Sequence, residues 1–198
     1  MTETAVERVL LGGEQVATPE QVFAALDQLQ IKHSTITHKP MRTVEDSISL
    51  REGVPGGYSK NLFLRNKKGR MVLVTLLEDR MVNLKAFGSQ LELGKPSFAS
   101  PQRLMHYLGV IPGAVTPLAV INDKTRAVTV VLDKALMEQN PLHFHPCDNT
   151  MTTTIDAQDL IKYIEALHNP PLVMDFEKAD FEKVDFEKVD FEKIEPGT

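Results

Sequence analysis

Four segments of this 198-residue chain hold the residue types that could do chemistry. They read THKPMRTVEDS, GGYSKN, GVIPGAVTPL and HFHPCDNTMTTT, and none of them has strong hydrophobic periodicity. Loops around a rigid strand scaffold are where sites tend to be built. A lysine, an asparagine, a histidine and a glycine loop suit a site that orients a reactive ester and a water. They lack the acidic pair of glycosidase or aspartic protease chemistry.

Lys60 stands out because Asn61 and an apolar run, LFL, follow it directly. A lysine at this point can lay its methylenes on apolar surface and keep its ammonium in water, or it can place a cation at the mouth of a pocket. Ser59 and Lys60 do not suit a nucleophile and its base, because neighbours on a strand point to opposite faces. The residues alone leave both interpretations of Lys60 open.

The third segment is a loop rich in glycine and proline, with Gly109, Pro112, Gly113 and Pro117. Such a loop leaves backbone amides outside regular pairing and allows a ligand to approach closely. Free amides can hold a carboxylate, a phosphate or the oxyanion of acyl transfer. The alternative is a plain connection between a helix and a strand.

His143, His145 and Cys147 alternate, and alternating residues of a strand point to one side. Their types would suit a metal, but Pro146 interrupts the strand and a fourth ligand is not evident nearby. We therefore expect no metal, and interpret the histidines as a structural pair or as one catalytic or orienting histidine. The sequence contains neither G-x-x-x-x-G-K-S/T nor G-x-G-x-x-G, the glycine-rich fingerprints of nucleotide-binding sites, so no cofactor is expected.

The elements that must position these residues predict an α+β fold, with a mainly antiparallel or mixed sheet, or a barrel-like core, and surrounding helices. Helix starts are expected at or near Thr18, Thr43, Asn83, Ser100 and Asp156. Two hairpins are expected, NLFLR with RMVLVTLL and TPLAVIN with AVTVVLD, and further strands at STIT, LHFH and TMTTTI.

Charge and repeats divide the chain into a domain, 1–174, and a tail, 175–198. The tail contains four DFEKx units and holds nine acidic residues against four lysines, which accounts for the whole net charge of −5. Its apolar residues recur at alternating spacings of three and two, which fit neither a helical nor a strand face, so we predict a disordered low-complexity tail. Its phenylalanines leave a partner-binding role open.

The formally neutral domain is not expected to coat DNA. A local cluster of cations could still hold a few phosphates, or it could be an ordinary solvated turn: Arg65, Lys67, Lys68 and Arg70. One cysteine excludes an internal disulfide framework. No apolar stretch approaches the roughly 20 residues of a membrane span, and the first residues do not have the pattern of a signal peptide. We therefore expect a cytoplasmic protein.

Five stretches together resemble the stand-alone prolyl-tRNA editing proteins of the YbaK/ProX aminoacyl-tRNA deacylase superfamily. They are HKPMRTVEDS, YSKNLFLRNKKG, GVIPGAVTPLAVIND, TVVLD and HFHPCDNTMTTTI, in the family's order and at compatible spacing over about residues 15–176. The superfamily's lysine matches Lys60, and its G-x-x-x-P loop matches 113–117. The asparagine and histidine typical of the ProX branch match Asn61 and His145. The tail is not part of the family pattern.

The resemblance implies hydrolysis of the ester that joins a wrong amino acid to the terminal ribose of a tRNA, and in the ProX branch removal of alanine from proline tRNA. A synthetase pocket large enough for proline cannot strongly reject a smaller residue, since a missing methylene or two is worth only roughly 1–3 kcal/mol. A second pocket must then remove the smaller amino acid and exclude the correct one. The implied partners are the acceptor end of proline tRNA and, as a further candidate, prolyl-tRNA synthetase.

The resemblance also implies roles for individual residues. Lys60 would hold the terminal adenosine phosphate or the ester, and Asn61 and His145 would position the aminoacyl group. The amides of Gly113 and Ala114 would receive the oxyanion. The free hydroxyl of the terminal ribose would activate the attacking water, and the cationic turn from Arg65 to Arg70 would touch the acceptor stem. Further substrate-binding residues are expected at His38, Met41, Thr43, Ala114, Thr116, Pro117 and Asn149.

Three other functions stay open on the sequence. A catalytically silent module could use the same pocket to sense an amino acid or aminoacyl-tRNA. A metal-dependent hydrolase could use His143, His145 and Cys147. An interaction scaffold could work through the repeats.

Overall fold

The computed structural model describes residues 8–40 and 53–177. The described strands are β1 (Ser34–Thr37), β2 (Gly57–Arg65), β3 (Met71–Leu77), β4 (Ser97–Phe98), β5 (Val128–Asp133), β6 (Leu142–Phe144), β7 (Met151–Ile155) and β8 (Leu172–Met174). They form one sheet in the order β1-β7-β6-β2-β3-β5-β8, with β4 paired to β2. Three of the pairings are parallel, β2 with β6, β3 with β5 and β5 with β8, and the others are antiparallel. The predicted α+β class with a mixed sheet is confirmed.

The helices surround this sheet. They are α1 (Pro19–Gln28), α2 (Leu84–Gln90), α3 (Pro101–Leu108), a 3₁₀ helix (Pro117–Asn122), α4 (Lys134–Met137) and α5 (Ala157–Leu167). The predicted starts at Thr18, Asn83, Ser100 and Asp156 are confirmed, whereas the one at Thr43 lies outside the described residues. At α3 the Ser100 hydroxyl accepts a hydrogen bond from the Arg103 amide, and Gly109 ends the helix at φ 64°. Within 8–40 and 53–177, no helix has the length and apolar character to cross a membrane.

The sheet separates two apolar clusters, and β2 contributes to both. Phe63 belongs to the first cluster, which includes buried residues of α1, α3 and α5. Leu62 and Leu64 belong to the second cluster, which includes Phe87 of α2. Because successive strand residues point to opposite faces, this alternation places Asn61 on the same face as Phe63.

The predicted second hairpin is wrong. Residues expected to form its first strand are the 3₁₀ helix, and β5 pairs in parallel with β3 instead of with the segment before it. Pro117 has no N–H to give to a strand ladder, and the Thr116 hydroxyl caps the helix by accepting a hydrogen bond from the Leu118 amide at 3.3 Å. The β-branched composition of AVTVVLD indicated a strand correctly, but it does not identify the neighbouring strand.

The first residues of the predicted tail pack on the domain. Phe176 is 3% exposed and its ring stacks on that of Phe87, with the centroids 6.0 Å apart. The division at residue 174 stays a prediction, and the repeats beyond Glu177 lie outside the described residues.

Candidate functional site

A cavity of about 130 Å³ lies between β2, β4, α3 and the loop after α3. Its walls are Asn61, Phe63, Phe98, Ala99, Pro101, Leu104, Pro112, Gly113 and Val115. Among these described residues, Asn61 is the one with a polar side chain. Predominantly apolar walls with a polar group that fixes orientation are the usual form of a small-molecule site. The cavity therefore suits a small apolar group that carries a hydrogen-bond donor.

The side chain of Asn61 is poorly satisfied by the protein. Its Oδ1 is buried and has no hydrogen-bond partner among the described residues. In the described part of the chain, its Nδ2 reaches only the Ser59 hydroxyl, at 3.5 Å. A buried acceptor without a donor costs roughly 1–3 kcal/mol. A ligand that donates to Oδ1 would recover that free energy.

Thr75 adds a second polar atom of this kind. It lies directly opposite Asn61 in the β2–β3 pair, it is fully buried, and its Oγ1 has no partner in the described part of the chain. Leu73, two residues earlier on β3, belongs to the first cluster, so Thr75 starts from the same face as Asn61. Thr75 is not among the described residues of the cavity wall, and it was not predicted as a site residue, although one hydroxyl inside the apolar run RMVLVTLL was a signal.

Gly113, one of the candidate site residues, lies in the cavity wall. Its φ is +86°, and a Cβ built there would meet nothing within 4 Å. Glycine is therefore required by the backbone conformation and not by crowding from the protein. The neighbouring Ala114 amide donates to the Ile111 carbonyl at 3.0 Å, so it already serves a turn.

The rest of the predicted G-x-x-x-P loop is structural in this conformation. Thr116 is fully buried and caps the 3₁₀ helix, and Pro117 is its first residue. Neither lines the cavity, nor does Ala114. From this loop the wall instead receives Pro112 and Val115 beside Gly113.

Lys60 is next to Asn61 on β2 but is not part of the cavity wall. Strand alternation makes its side chain start on the face of Leu62, opposite to that of Asn61. Its ammonium is half-buried, and burial lowers the pKa of Lys60, while Asp79 and Glu78 act in the opposite direction. The cation is thus less well solvated than an ordinary surface lysine.

His38 and His145 form a second group of predicted site residues, with ring centroids 6.1 Å apart. The Nδ1 of His145 donates to the Met151 carbonyl at 2.7 Å. The Nδ1 of His38 donates to the Lys39 carbonyl at 2.8 Å, and its Nε2 accepts from the Thr152 hydroxyl at 2.9 Å. Both rings are therefore oriented by backbone carbonyls.

Of three further predicted substrate contacts, one lies away from the cavity and two cannot be placed within the described residues. Asn149 lies in the turn before β7 and does not line the cavity wall. Met41 and Thr43 lie outside the described residues.

His143 and Cys147 do not join His145 in a metal-type cluster. The Nδ1 of His143 pairs with the Thr154 hydroxyl at 3.0 Å, and its Nε2 pairs with the Pro55 carbonyl at 3.1 Å. Burial raises the pKa of the Cys147 thiol to about 12. Within the two described ranges, no group of three His, Cys, Asp or Glu side chains is arranged to hold a metal ion.

Gly56 and Gly57, at the start of β2, allow β2 to lie close to β6. A Cβ on Gly56 would lie 2.5 Å from both the Nε2 of His143 and the Pro141 carbonyl oxygen. The glycine pair of GGYSKN therefore allows close packing of the two strands.

The predicted cationic cluster is the turn between β2 and β3. Asn66 closes this turn, since its Oδ1 accepts from the Arg70 amide at 2.9 Å. Lys67, Lys68 and Arg70 are exposed and Arg65 is half-buried. Asn61 and Arg65 are four positions apart on β2, which corresponds to a distance of about 13 Å along the strand. These cations do not line the cavity but lie at the turn between two strands of the same sheet.

Comparison with known proteins identifies the family. Residues 38–163 match the model of the aminoacyl-tRNA editing domain. The chain is 38% identical to a prolyl-tRNA editing protein ProX from Acetoanaerobium sticklandii, over 76% of this chain and 92% of that protein. It is 33% identical to the prolyl-tRNA synthetase associated domain-containing protein 1 of Bos taurus, over 85% of this chain and 99% of that protein.

The fold agrees with these matches. A crystal structure described as a candidate trans-editing enzyme for prolyl tRNA synthetase superposes with a TM-score of 0.62 at 16% identity, over 81% of this chain and 98% of that one. At this identity the likeness concerns the fold, which is the one expected from the YbaK/ProX resemblance. By family model, sequence identity and fold, the chain belongs to the aminoacyl-tRNA editing domain family.

Proposed function

We propose that this protein hydrolyses the ester between alanine and proline tRNA, without a metal ion. Its role as a trans-editing aminoacyl-tRNA deacylase follows from its family and from its sequence identity with a prolyl-tRNA editing protein. The observation that carries the finer proposal is the apolar cavity in which the buried Oδ1 of Asn61 has no partner among the described residues.

An alanyl ester complements this cavity. Its α-ammonium is a charged donor for the Oδ1 of Asn61, and charge-assisted hydrogen bonds are roughly twice as strong as neutral ones. Its methyl group matches the apolar walls formed by Phe63, Phe98 and Leu104. The hydroxyl of a seryl ester would lose its hydrogen bonds to water against the same walls, which disfavours serine.

Selectivity against proline would be steric. A dry apolar cavity of roughly 150 Å³ is filled by one benzene ring. A prolyl ring would therefore occupy most of the 130 Å³ here and leave little room for the ester. Because the ring includes the amino nitrogen, a prolyl group bound to Asn61 could not turn its carbons away from the walls. The methyl of alanine meets no such constraint.

In the proposed reaction a water oxygen attacks the ester carbonyl carbon. The bond between that carbon and the ribose oxygen breaks, the ribose oxygen takes up a proton, and free alanine leaves the deacylated tRNA. The amide of Gly113, in the cavity wall, would donate to the developing oxyanion. The neighbouring free ribose hydroxyl would orient and activate the water, so the chain needs no strong base of its own.

Lys60 would act from outside the cavity, by holding the terminal phosphate. A partly desolvated ammonium attracts a phosphate more strongly than a fully hydrated one. His145, oriented by the Met151 carbonyl, would contact the terminal nucleotide from the β7 side, together with His38. Arg65, and the exposed cations after it, would contact the acceptor stem.

Donor chemistry supports a reaction without a metal. Both ring nitrogens of His143 are engaged by the protein, and the thiol of Cys147 stays protonated near neutral pH because burial raises its pKa. Metal ligands must be deprotonated and accessible. We expect dialysis against a chelator to leave the deacylation rate unchanged, and a loss of rate that zinc restores would contradict this.

The proposal is tested by single-turnover hydrolysis of alanyl, cysteinyl, seryl and prolyl esters on proline tRNA, with excess protein. We expect the alanyl ester to be cleaved fastest and the prolyl ester to be spared. Lys60→Ala should reduce the alanyl rate by more than about 100-fold, whereas Lys85→Ala, an exposed lysine on α2, should leave it unchanged. Binding of alanyl-tRNA without turnover would instead indicate a silent binding module.

A further inference from the structure

The first DFEKx unit of the C-terminal repeats occupies a defined site on the domain. Phe176 is 3% exposed within the second apolar cluster, and it stacks on Phe87 with an interplanar angle of 19°. Val74 and Val131 belong to the same buried cluster. The aromatic ring is therefore an integral part of the core on this face of the sheet.

Both acidic residues of this unit pair with cations of the domain. A carboxylate oxygen of Glu177 lies 3.2 Å from Nη2 of Arg80, and one of Asp175 lies 3.8 Å from Nζ of Lys134. Arg80 is itself held in place, because its Nε donates to the fully buried Asp133 at 3.1 Å. The residues on either side of the apolar anchor thus each pair with a cation, so the surface complements an Asp-Phe-Glu sequence in charge and apolar character.

The unit also carries its own turn. The Oδ1 of Asp175 accepts a hydrogen bond from the Glu177 amide at 3.1 Å. This bond joins atoms within the three residues, so any Asp-Phe-Glu segment can form it. Asp-Phe-Glu recurs three more times in the sequence, at 180–182, 185–187 and 190–192.

We propose that the surface formed by Phe87, Arg80 and Lys134 is a binding site for Asp-Phe-Glu segments, and that the three later repeats of this chain are alternative occupants of it. The chain then carries four equivalent ligands for one site. Exchange of the second unit for the first requires that the five residues 175–179 loop out after β8. Closing so short a loop adds little entropy cost, and the tether keeps the local concentration of the later units high.

The test measures whether the later repeats replace the first, by thermal unfolding of full-length variants. Phe176→Ala alone should lower Tm by less than about 3 °C, because the next unit takes the site. The triple variant Phe181→Ala, Phe186→Ala and Phe191→Ala should leave Tm unchanged, since the first unit remains. All four changes together should lower Tm by roughly 10 °C, the effect expected for removal of a buried phenylalanine.

Strong non-additivity would thus support the proposal. If Phe176→Ala alone lowers Tm as much as the quadruple change, or prevents folding, the later repeats do not replace the first and the proposal is wrong. A second measurement uses a synthetic DFEKVDFEKV peptide added to the quadruple variant. It should raise Tm in a concentration-dependent way, whereas DAEKVDAEKV should not, and equal effects of both peptides would also contradict the proposal.

Discussion

Asn61, which is half-buried, and Asn122, which is buried, are two asparagines whose side chains have opposite hydrogen-bonding states. Oδ1 of Asn122 accepts from the Ala17 amide at 2.7 Å, and its Nδ2 donates to the Leu108 carbonyl at 2.9 Å. Oδ1 of Asn61 has no partner among the described residues. The same amide group therefore joins two segments of backbone in one region and lines a cavity in the other.

Among the described residues, the polar groups beside the two asparagines differ in the same way: Asp123, beside Asn122, is hydrogen-bonded, and the hydroxyl of Thr75, beside Asn61, is not. Beside Asn122, the carboxylate of Asp123 accepts from the Val128 amide, the Thr125 hydroxyl and His168. In the described residues, the ring Nδ1 of His168 is the atom of this group that lacks a partner. Beside Asn61, the hydroxyl of Thr75 has none. Polar groups saturated by the protein stabilise the fold, whereas unsatisfied groups at a cavity are available to a ligand.

Of the substitutions that compare these two regions, Asn61→Ala is expected to have the largest effect on activity. Loss of a charge-assisted hydrogen bond to the substrate should reduce kcat/KM for alanyl-tRNA by roughly 100-fold. Tm should stay within about 2 °C of the parent, because among the described residues the substitution removes only the long 3.5 Å contact of Nδ2 with the Ser59 hydroxyl. Single-turnover kinetics and thermal unfolding measure the two quantities. A large drop in Tm would mean that Asn61 is a structural residue like Asn122.

Asn122→Ala is expected to show the reverse. It leaves the Ala17 amide and the Leu108 carbonyl without their partner, which should lower the free energy of unfolding by about 2 kcal/mol. Hydrolysis per folded molecule should remain within about two-fold of the parent at a temperature where both are folded. Denaturant unfolding gives the free energy of unfolding, and active-site titration gives the rate per folded molecule. A loss of activity without a loss of stability would mean that Asn122 does not differ from Asn61 in role.

Thr75→Val sharpens the comparison, because valine has the shape of threonine without the hydroxyl. Removal of an unsatisfied buried hydroxyl should leave the free energy of unfolding unchanged or raise it by about 1 kcal/mol. If Thr75 supports Asn61 when substrate is bound, kcat/KM should fall by roughly 10-fold. Thr153→Val is the matched control, since the Thr153 hydroxyl pairs with that of Thr35 on the β1–β7 side. Equal rates for Thr75→Val and the parent would mean that Thr75 does not support Asn61 when substrate is bound.

The smallest effect is expected from removal of 178–198. The described residues of the cavity wall lie between Asn61 and Val115, and the first Asp-Phe-Glu unit stays in place. Deacylation of a minimal acceptor-stem substrate should change by less than about two-fold. Truncation at residue 174 is a different experiment, because it also removes the buried Phe176 and should lower Tm.

Much of the fold could be predicted from local signals. Thr18 with Pro19, and Ser100 with Pro101, mark helix starts through capping that depends only on neighbouring residues. The parallel pairing of β5 with β3 could not be predicted in this way, because partners so far apart in sequence leave no local pattern. The segment after Thr116 has apolar residues that suit a strand or a buried 3₁₀ helix equally well.

The site was predictable in its residue types but not in its geometry. Asn61 and Gly113 could be named from the family resemblance, and they do meet at the cavity. The wall residue Phe98 lies in a two-residue strand that hydrophobic periodicity does not reveal, and Ala99 directly follows that strand. Likewise, the sequence placed Lys60 beside Asn61, while strand alternation makes their side chains start on opposite faces.

The most direct test of the central claim, that Oδ1 of Asn61 receives the α-ammonium of the substrate, compares alanyl and propionyl esters on proline tRNA. The propionyl ester lacks the amine and adds no bulk. Each single-turnover rate is divided by the uncatalysed rate of the same ester in the same buffer, which removes the intrinsic effect of the ammonium on reactivity. We expect the parent protein to favour the alanyl ester by roughly 30-fold and Asn61→Ala to show a preference below about three-fold. A parent without preference, or a preference unchanged in Asn61→Ala, would contradict the account.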